Sequence, residues 1–245
     1  MPQRSSLRVP RRRRSPVDGF LFSVTLCSLT LLVPLVGCSG LGGGRVDPED
    51  KVAVAKRIAS NLKEGDRLIA SQEEVLRSND PERRLSAIPT LEKAEALFSE
   101  ARDLSRESAT PRFKLGQIRS LLGALNMADH DRWRLQAEAA TAAGNTPAPD
   151  VLAKSAAAKQ KAVAWLEGSN TELDFYHRFL SRQHPNPQVY SSLSMNFELL
   201  GNYAAAEQAT RVLLENFPDI DPRTRQYHEQ RARGLRERRL DEFDG

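Results

Sequence analysis

Apolar residues recur every three or four positions from Asp47 onwards, which is the spacing of one face of an α-helix. Asp47 and Pro48 favour a helix start, because Asp caps a helix N-terminus and proline fits the first helical position. The first apolar face comprises Val52, Ala55, Ile58, Ala59, Leu62, Ile69 and Leu76. No stretch alternates apolar and polar residues as a half-buried strand does. We therefore expect an all-α fold after residue 47.

Residues 19–36 form an uncharged apolar run behind a basic segment, which is the pattern of a secretory signal peptide. The basic residues are Arg4, Arg8 and Arg11 to Arg14. The run ends in Leu35, Val36, Gly37 and Cys38, and this ending resembles the lipobox of bacterial lipoproteins. The resemblance implies that Leu35, Val36 and Gly37 form the signal-peptidase recognition site. It also implies that Cys38 carries the lipid and becomes the N-terminus.

An uncleaved transmembrane helix is the alternative interpretation of residues 19–36, since about 18 apolar residues are just long enough to cross a bilayer. Pro34 and the glycine-rich residues 41–44 favour the lipoprotein, because such a tract is typical of a flexible tether. We therefore expect a signal peptide over residues 1–37 and a lipidated cysteine with its tether over residues 38–46.

Cleavage after Gly37 changes what charge and cysteine content imply. The whole chain carries 36 basic and 32 acidic residues, and residues 1–37 hold six arginines and one aspartate, which leaves 30 basic and 31 acidic residues. The mature domain therefore gives no electrostatic reason to expect nucleic-acid binding. Cys27 lies in the signal peptide, so Cys38 would be the only cysteine left and no internal disulfide can form.

An internal repeat appears when residues 166–185 are set over residues 199–218 at an offset of 33. Gly168 then aligns with Gly201, and a proline closes each block. Each block predicts a helix, a glycine turn and a second helix. The pattern resembles the tetratricopeptide repeat (TPR), a helix-turn-helix unit of about 34 residues.

Residues 187–220 carry the resemblance best. There Tyr190 stands at the aromatic site of the first helix, Gly201 at the turn, Tyr203 and Ala206 at the start of the second helix, and Pro218 at its end. A weaker unit over residues 109–142 keeps the spacing through Leu115, Gly116 and Gly123, and residues 75–108 match only in their second helix. The resemblance implies that residues 47–222 form a short TPR-like solenoid of stacked antiparallel hairpins.

Residues 223–245 are highly charged, with seven arginines among the acidic residues. Such a helix suits either docking on an acidic partner or lipid headgroups, or the end of a helical stack. Alternating charge signs and the four-residue spacing of Glu229 and Arg233 favour a capping helix.

No complete catalytic or metal-binding motif occurs in the sequence. The four histidines show no metal-ligand spacing, and we expect no metal and no cofactor. Residues 129–133 (Asp-His-Asp-Arg-Trp) form a dense polar cluster, which we interpret as helix surface because no nucleophile lies near it in the sequence.

The sequence thus predicts a non-catalytic lipoprotein that acts as a protein-protein interaction scaffold in the bacterial cell envelope. Its expected contacts are a protein or peptide partner and the membrane, the latter through the lipid on Cys38. Ser39 is compatible with the outer membrane, facing the periplasm. Two alternatives stay open: a structural envelope lipoprotein without a specific partner, and an enzyme or ligand-binding module that uses residues 129–133.

Overall fold

The computed structural model describes residues 48–243, and every regular element within that range is a helix. The expected all-α fold is confirmed. The signal peptide, the lipobox residues Leu35, Val36, Gly37 and Cys38, and the tether lie outside the described residues. The α-helices are α1 (Pro48–Ser71), α2 (Glu73–Leu76), α3 (Pro81–Leu85), α4 (Ile88–Leu104), α5 (Ala109–Ala142), α6 (Pro149–Phe175), α7 (Pro187–Leu199), α8 (Tyr203–Asn216) and α9 (Pro222–Phe243), and a π-helical turn (Tyr176–Leu180) extends α6.

The long helices pack mainly against their neighbours in the chain. Helix α1 lies against α4, α4 against α5, and α5 against α6 over the largest of these contacts. A second group follows, in which α7 packs against α8 and α8 against α9. Helix α7 also contacts α5 and α6, and so joins the two groups into one body.

Helix α1 begins at Pro48 as expected. Its apolar face is buried only over the central and C-terminal part of the helix. Ile58 is buried, and Leu62 and Ile69 are packed against the core cluster around Leu91 and Phe98. Val52 was expected on the same buried face and is instead 54% exposed. The first turns of α1 therefore lie largely in solvent.

Close approach of α5 and α6 depends on two glycines. A Cβ atom built on Gly116 would lie 2.6 Å from Cδ2 of Leu173, and one on Gly123 would lie 2.6 Å from Cδ2 of Leu166. Leu115, beside the first glycine, is fully buried. The small residues thus allow two helices to approach more closely than alanine would.

The turns predicted at Gly123 and Gly168 do not form. Gly123 lies inside the continuous helix α5, and Gly168 lies inside α6. The prediction of hairpins over residues 109–142 and 166–185 was wrong. Gly123 makes room for the Leu166 side chain, whereas a Cβ atom on Gly168 would meet Arg119 at an ordinary 3.5 Å, and neither glycine reverses the chain.

The predicted hairpin over residues 187–220 does form. Gly201 adopts φ +79°, a conformation that glycine tolerates without steric cost, and it reverses the chain between α7 and α8. The Asn202 side chain then caps α8 by accepting a hydrogen bond from the Ala205 N–H, and Pro218 follows the end of α8. Tyr190 is 4% exposed and Ala206 is fully buried, whereas Tyr203, at the first position of α8, is half-buried.

Candidate interaction surfaces

A buried carboxylate joins α4, α5 and α6. Glu172 is 2% exposed, and its oxygens lie 2.5 Å from Nη1 of Arg102 and 2.7 Å from Nη1 of Arg112. Arg119 lies 3.7 Å from the same carboxylate and 2.7 Å from Glu95. The arginines come from two helices other than that of Glu172, so this cluster fixes the three helices relative to each other.

Two further buried carboxylates hold α9 against α7 and α8. Glu198 pairs with Arg231 and, at 2.6 Å, with Arg238. Glu207 pairs at 3.1 Å with Arg236 and at 3.1 Å with Arg239. Four of the seven arginines of residues 223–245 are therefore used inside the molecule, which leaves fewer of them to bind an external acidic partner.

The arginines around Glu207 stabilise its ionised form. Burial by itself raises the pKa of this carboxyl, but hydrogen bonds from Arg236 and Arg211 outweigh burial and hold the pKa below its usual value. Because the carboxylate stays ionised, its ion pairs with α9 persist at neutral pH.

Residues 129–133 contribute to helix packing. Asp129 pairs with Arg132 at 3.0 Å, and Arg132 also reaches Glu82 at 2.8 Å. His130 meets the hydroxyl of Ser155 on α6, with Nδ1 2.9 Å from Oγ. The contact between Ser155 and His130 could not be recognised from the sequence, because the two residues are 25 positions apart.

The Ser155–His130 pair has the atoms of a hydrolytic dyad without its surroundings. Ser155 is only 8% exposed, and the carboxylate of Asp129 pairs with Arg132 and not with the imidazole. Both residues lie in the interior of long helices, where backbone N–H groups are engaged in the helix and cannot serve as oxyanion donors. The geometry at this pair therefore favours helix packing.

His177 takes part in a local contact through its side chain, and His184 through its backbone oxygen. His177 Nδ1 lies 2.9 Å from the Tyr190 hydroxyl, and the Tyr176 hydroxyl donates to the backbone oxygen of His184 at 2.7 Å. Within residues 48–243, no three metal-ligating side chains come together in a group that could hold a metal ion.

A buried polar network at the meeting point of α5, α6 and α7 could not be recognised from the sequence. The Ser120 hydroxyl donates to Oδ1 of Asn196 at 2.7 Å, and Ser169 donates to the backbone oxygen of Gly116 at 2.7 Å. The Asn196 amide in turn donates to Asn170 at 2.8 Å. These bonds fix α7 on the α5–α6 pair, and the residues have no special spacing that would reveal them.

Large apolar side chains are exposed at both ends of the α1, α4, α5 and α6 group. Because consecutive long helices run in opposite directions, the start of α1 and the end of α6 share one end, which we call the N-terminal end. Phe179, 65% exposed, and Val52 lie there. Leu135 and Leu152, 57% and 50% exposed, lie at the opposite end beside the α5–α6 loop. These two ends are the candidate interaction surfaces.

Among the described helices, none is long and apolar enough to cross a membrane. No family model, no curated protein and no solved structure matches the chain.

Proposed function

We propose that this chain is a lipoprotein of the bacterial cell envelope, attached to the membrane through Cys38, and that its helical body is a non-catalytic protein-binding scaffold. The observation that carries the proposal is the succession of a basic segment, an apolar run and the Leu35-to-Cys38 motif. The placement on the outer membrane, facing the periplasm, rests on Ser39, which follows the cysteine.

The TPR-like character of the proposal rests on residues 187–220. Helices α7 and α8 form a hairpin around Gly201, and α9 packs on the second of these helices. Stacked helical hairpins of this kind suit the binding of an extended peptide or a partner helix. The α5–α6 pair adds a long antiparallel hairpin to the same stack.

The end beside the α5–α6 loop is the surface that we propose for a protein partner. At this end the buried residues between α5 and α6 are Ala137, Val151 and Ser155, and the exposed apolar residues are Leu135 and Leu152. Two paired helices leave apolar side chains uncovered, and a partner helix laid along them would remove that surface from water.

The lipid attachment is tested by metabolic labelling with a clickable palmitate analogue in a bacterial host. Cys38→Ala should lose both the label and the membrane fractionation. Cys27→Ala is the matched control, since that cysteine belongs to the signal peptide and its loss should leave both unchanged. Equal membrane retention of all three proteins without label would contradict the lipoprotein and would indicate a transmembrane segment over residues 19–36.

The scaffold role is tested with a photo-crosslinking amino acid placed at Leu152 in growing cells. A discrete adduct at this site, missing when the crosslinker stands at the exposed polar residue Lys159, would support a specific partner. The same result at both sites, or no adduct at either, would favour a structural envelope lipoprotein that binds no specific protein.

A further inference from the structure

We infer that the π-helical turn at the end of α6 contacts the lipid bilayer through Phe179, and this inference rests on the proposed lipid attachment at Cys38. The turn spans Tyr176–Leu180, and the Ser181 N–H donates to the Tyr176 carbonyl five residues back, at 2.9 Å. Such single π turns often occur at functional sites of helical proteins.

Phe179 is the most exposed large apolar side chain of the described residues, at 65%. Its ring lies 4.8 Å from that of Phe175, and the Arg112 guanidinium lies over the Phe175 ring, 3.7 Å from the ring centroid. Arg112 is in turn bound to buried Glu172. The aromatic pair is therefore fixed to the core of the molecule and presents one ring outwards.

The position of the membrane attachment favours the bilayer as the occupant of this surface. Ten peptide steps separate Cys38 from Pro48, so the start of α1 stays within about 35 Å of the lipidated residue. Helix α5 spans 34 residues, or about 50 Å, and carries the opposite end of the group away from the start of α1. The N-terminal end, with Phe179, is thus the end that the attachment keeps near the bilayer.

The residues around Phe179 suit a membrane-water interface. Arg182 is exposed three residues after it, and a guanidinium group on a long side chain reaches phosphate headgroups while an aromatic ring enters the acyl boundary. Arg178 is also exposed and pairs with Asp174 at 2.8 Å. A protein contact of this kind would add to the attachment that the lipid on Cys38 provides.

The test uses the full lipidated protein, purified from membranes and reconstituted into vesicles of phosphatidylethanolamine and phosphatidylglycerol with brominated acyl chains. Phe179→Trp is compared with Leu152→Trp, which places tryptophan at a similarly exposed apolar position at the opposite end of the same helix. Wild type supplies the background of the native Trp133 and Trp165. We expect bromine to quench the tryptophan added at position 179 and to leave the one at position 152 at its bromine-free intensity.

Each other outcome overturns the inference. If Phe179→Trp floats with the vesicles and its added tryptophan is not quenched, the lipid attachment stands and the contact is wrong. An unquenched Trp signal that changes with protein density on the vesicles would assign the surface to a second copy of the chain. Equal quenching at both positions would indicate a body without fixed orientation. Failure to float, together with missing palmitate label, would overturn the lipoprotein proposal itself.

Discussion

Replacing Glu172 by glutamine removes a buried negative charge that faces three arginines from α4 and α5. The carboxylate is 2% exposed, and Arg102, Arg112 and Arg119 are 22%, 12% and 18% exposed in their side chains. Glutamine has nearly the same shape as glutamate, but its amide NH2 group is a donor and cannot accept a hydrogen bond from the guanidinium groups. Breaking a buried ion pair by neutralising one partner costs about 3–5 kcal/mol, because the other charges stay desolvated.

The partial exposure of the arginines places Glu172→Gln at the lower end of that range, about 3 kcal/mol, since their head groups can turn towards water. For a domain of this size each kcal/mol lowers Tm by about 2–4 °C, so we expect Tm to fall by about 6–12 °C. Thermal unfolding followed by circular dichroism measures this shift.

Asp174→Asn is the matched control, two residues along the same helix. Asp174 also pairs with an arginine, Arg178 at 2.8 Å, but both side chains are exposed, at 45% and 66%. An exposed ion pair of this kind contributes about 0.5 kcal/mol, which corresponds to a Tm change of about 1–2 °C. A Glu172→Gln variant that unfolds within about 2 °C of the Asp174→Asn variant would refute the role of the buried cluster.

The remaining predictions concern two glycines and a buried histidine. Gly168→Ala should raise the free energy of unfolding by about 0.5–1 kcal/mol, because the new Cβ would meet Arg119 at an ordinary 3.5 Å inside a helix; destabilisation in urea would instead indicate a turn there. Gly123→Ala should lower it, since overpacking against Leu166 costs about 1–3 kcal/mol and exceeds the gain in helix propensity; a stabilised variant would contradict the close approach of α5 and α6. Burial, assisted by the charge of Arg231, lowers the pKa of His228 from 6.5 to about 4. Between these two pH values the imidazole is therefore protonated in the unfolded chain and neutral in the folded chain. The free energy of unfolding should therefore decrease as pH falls from 6.5 towards 4, by at most about 1.4 kcal/mol per pH unit, and His228→Gln should flatten this dependence in urea titrations; an equal slope in both proteins would count against it.

The sequence by itself determined that the described residues are helical. Helix propensity and three-to-four residue spacing act within one or two turns, so they can be recognised without knowing what packs where. The hairpin at Gly201 was also predictable, because glycine followed by Asn202 at the helix start is a local signal, and φ +79° with the Asn202 cap confirms it.

Glycine alone did not distinguish a turn from a close helix contact. Gly123 and Gly168 occupy the same repeat positions as Gly201, and both lie within continuous helices. At Gly123 the deciding partner is Leu166, which comes from another helix and fills the space that a Cβ would take. Such a contact is formed between residues 43 positions apart, and no local pattern encodes it.

Tertiary structure alone determined which charged side chains are buried. In the sequence, Glu172, Glu198 and Glu207 are typical of a solvated helix face, and the arginines of residues 223–245 are typical of an exposed one. Folding brings Arg102 across 70 positions to Glu172, and Arg238 across 40 positions to Glu198. A carboxylate is buried only where guanidinium groups replace its water, and whether they do depends on how the helices pack, which propensity and spacing do not specify.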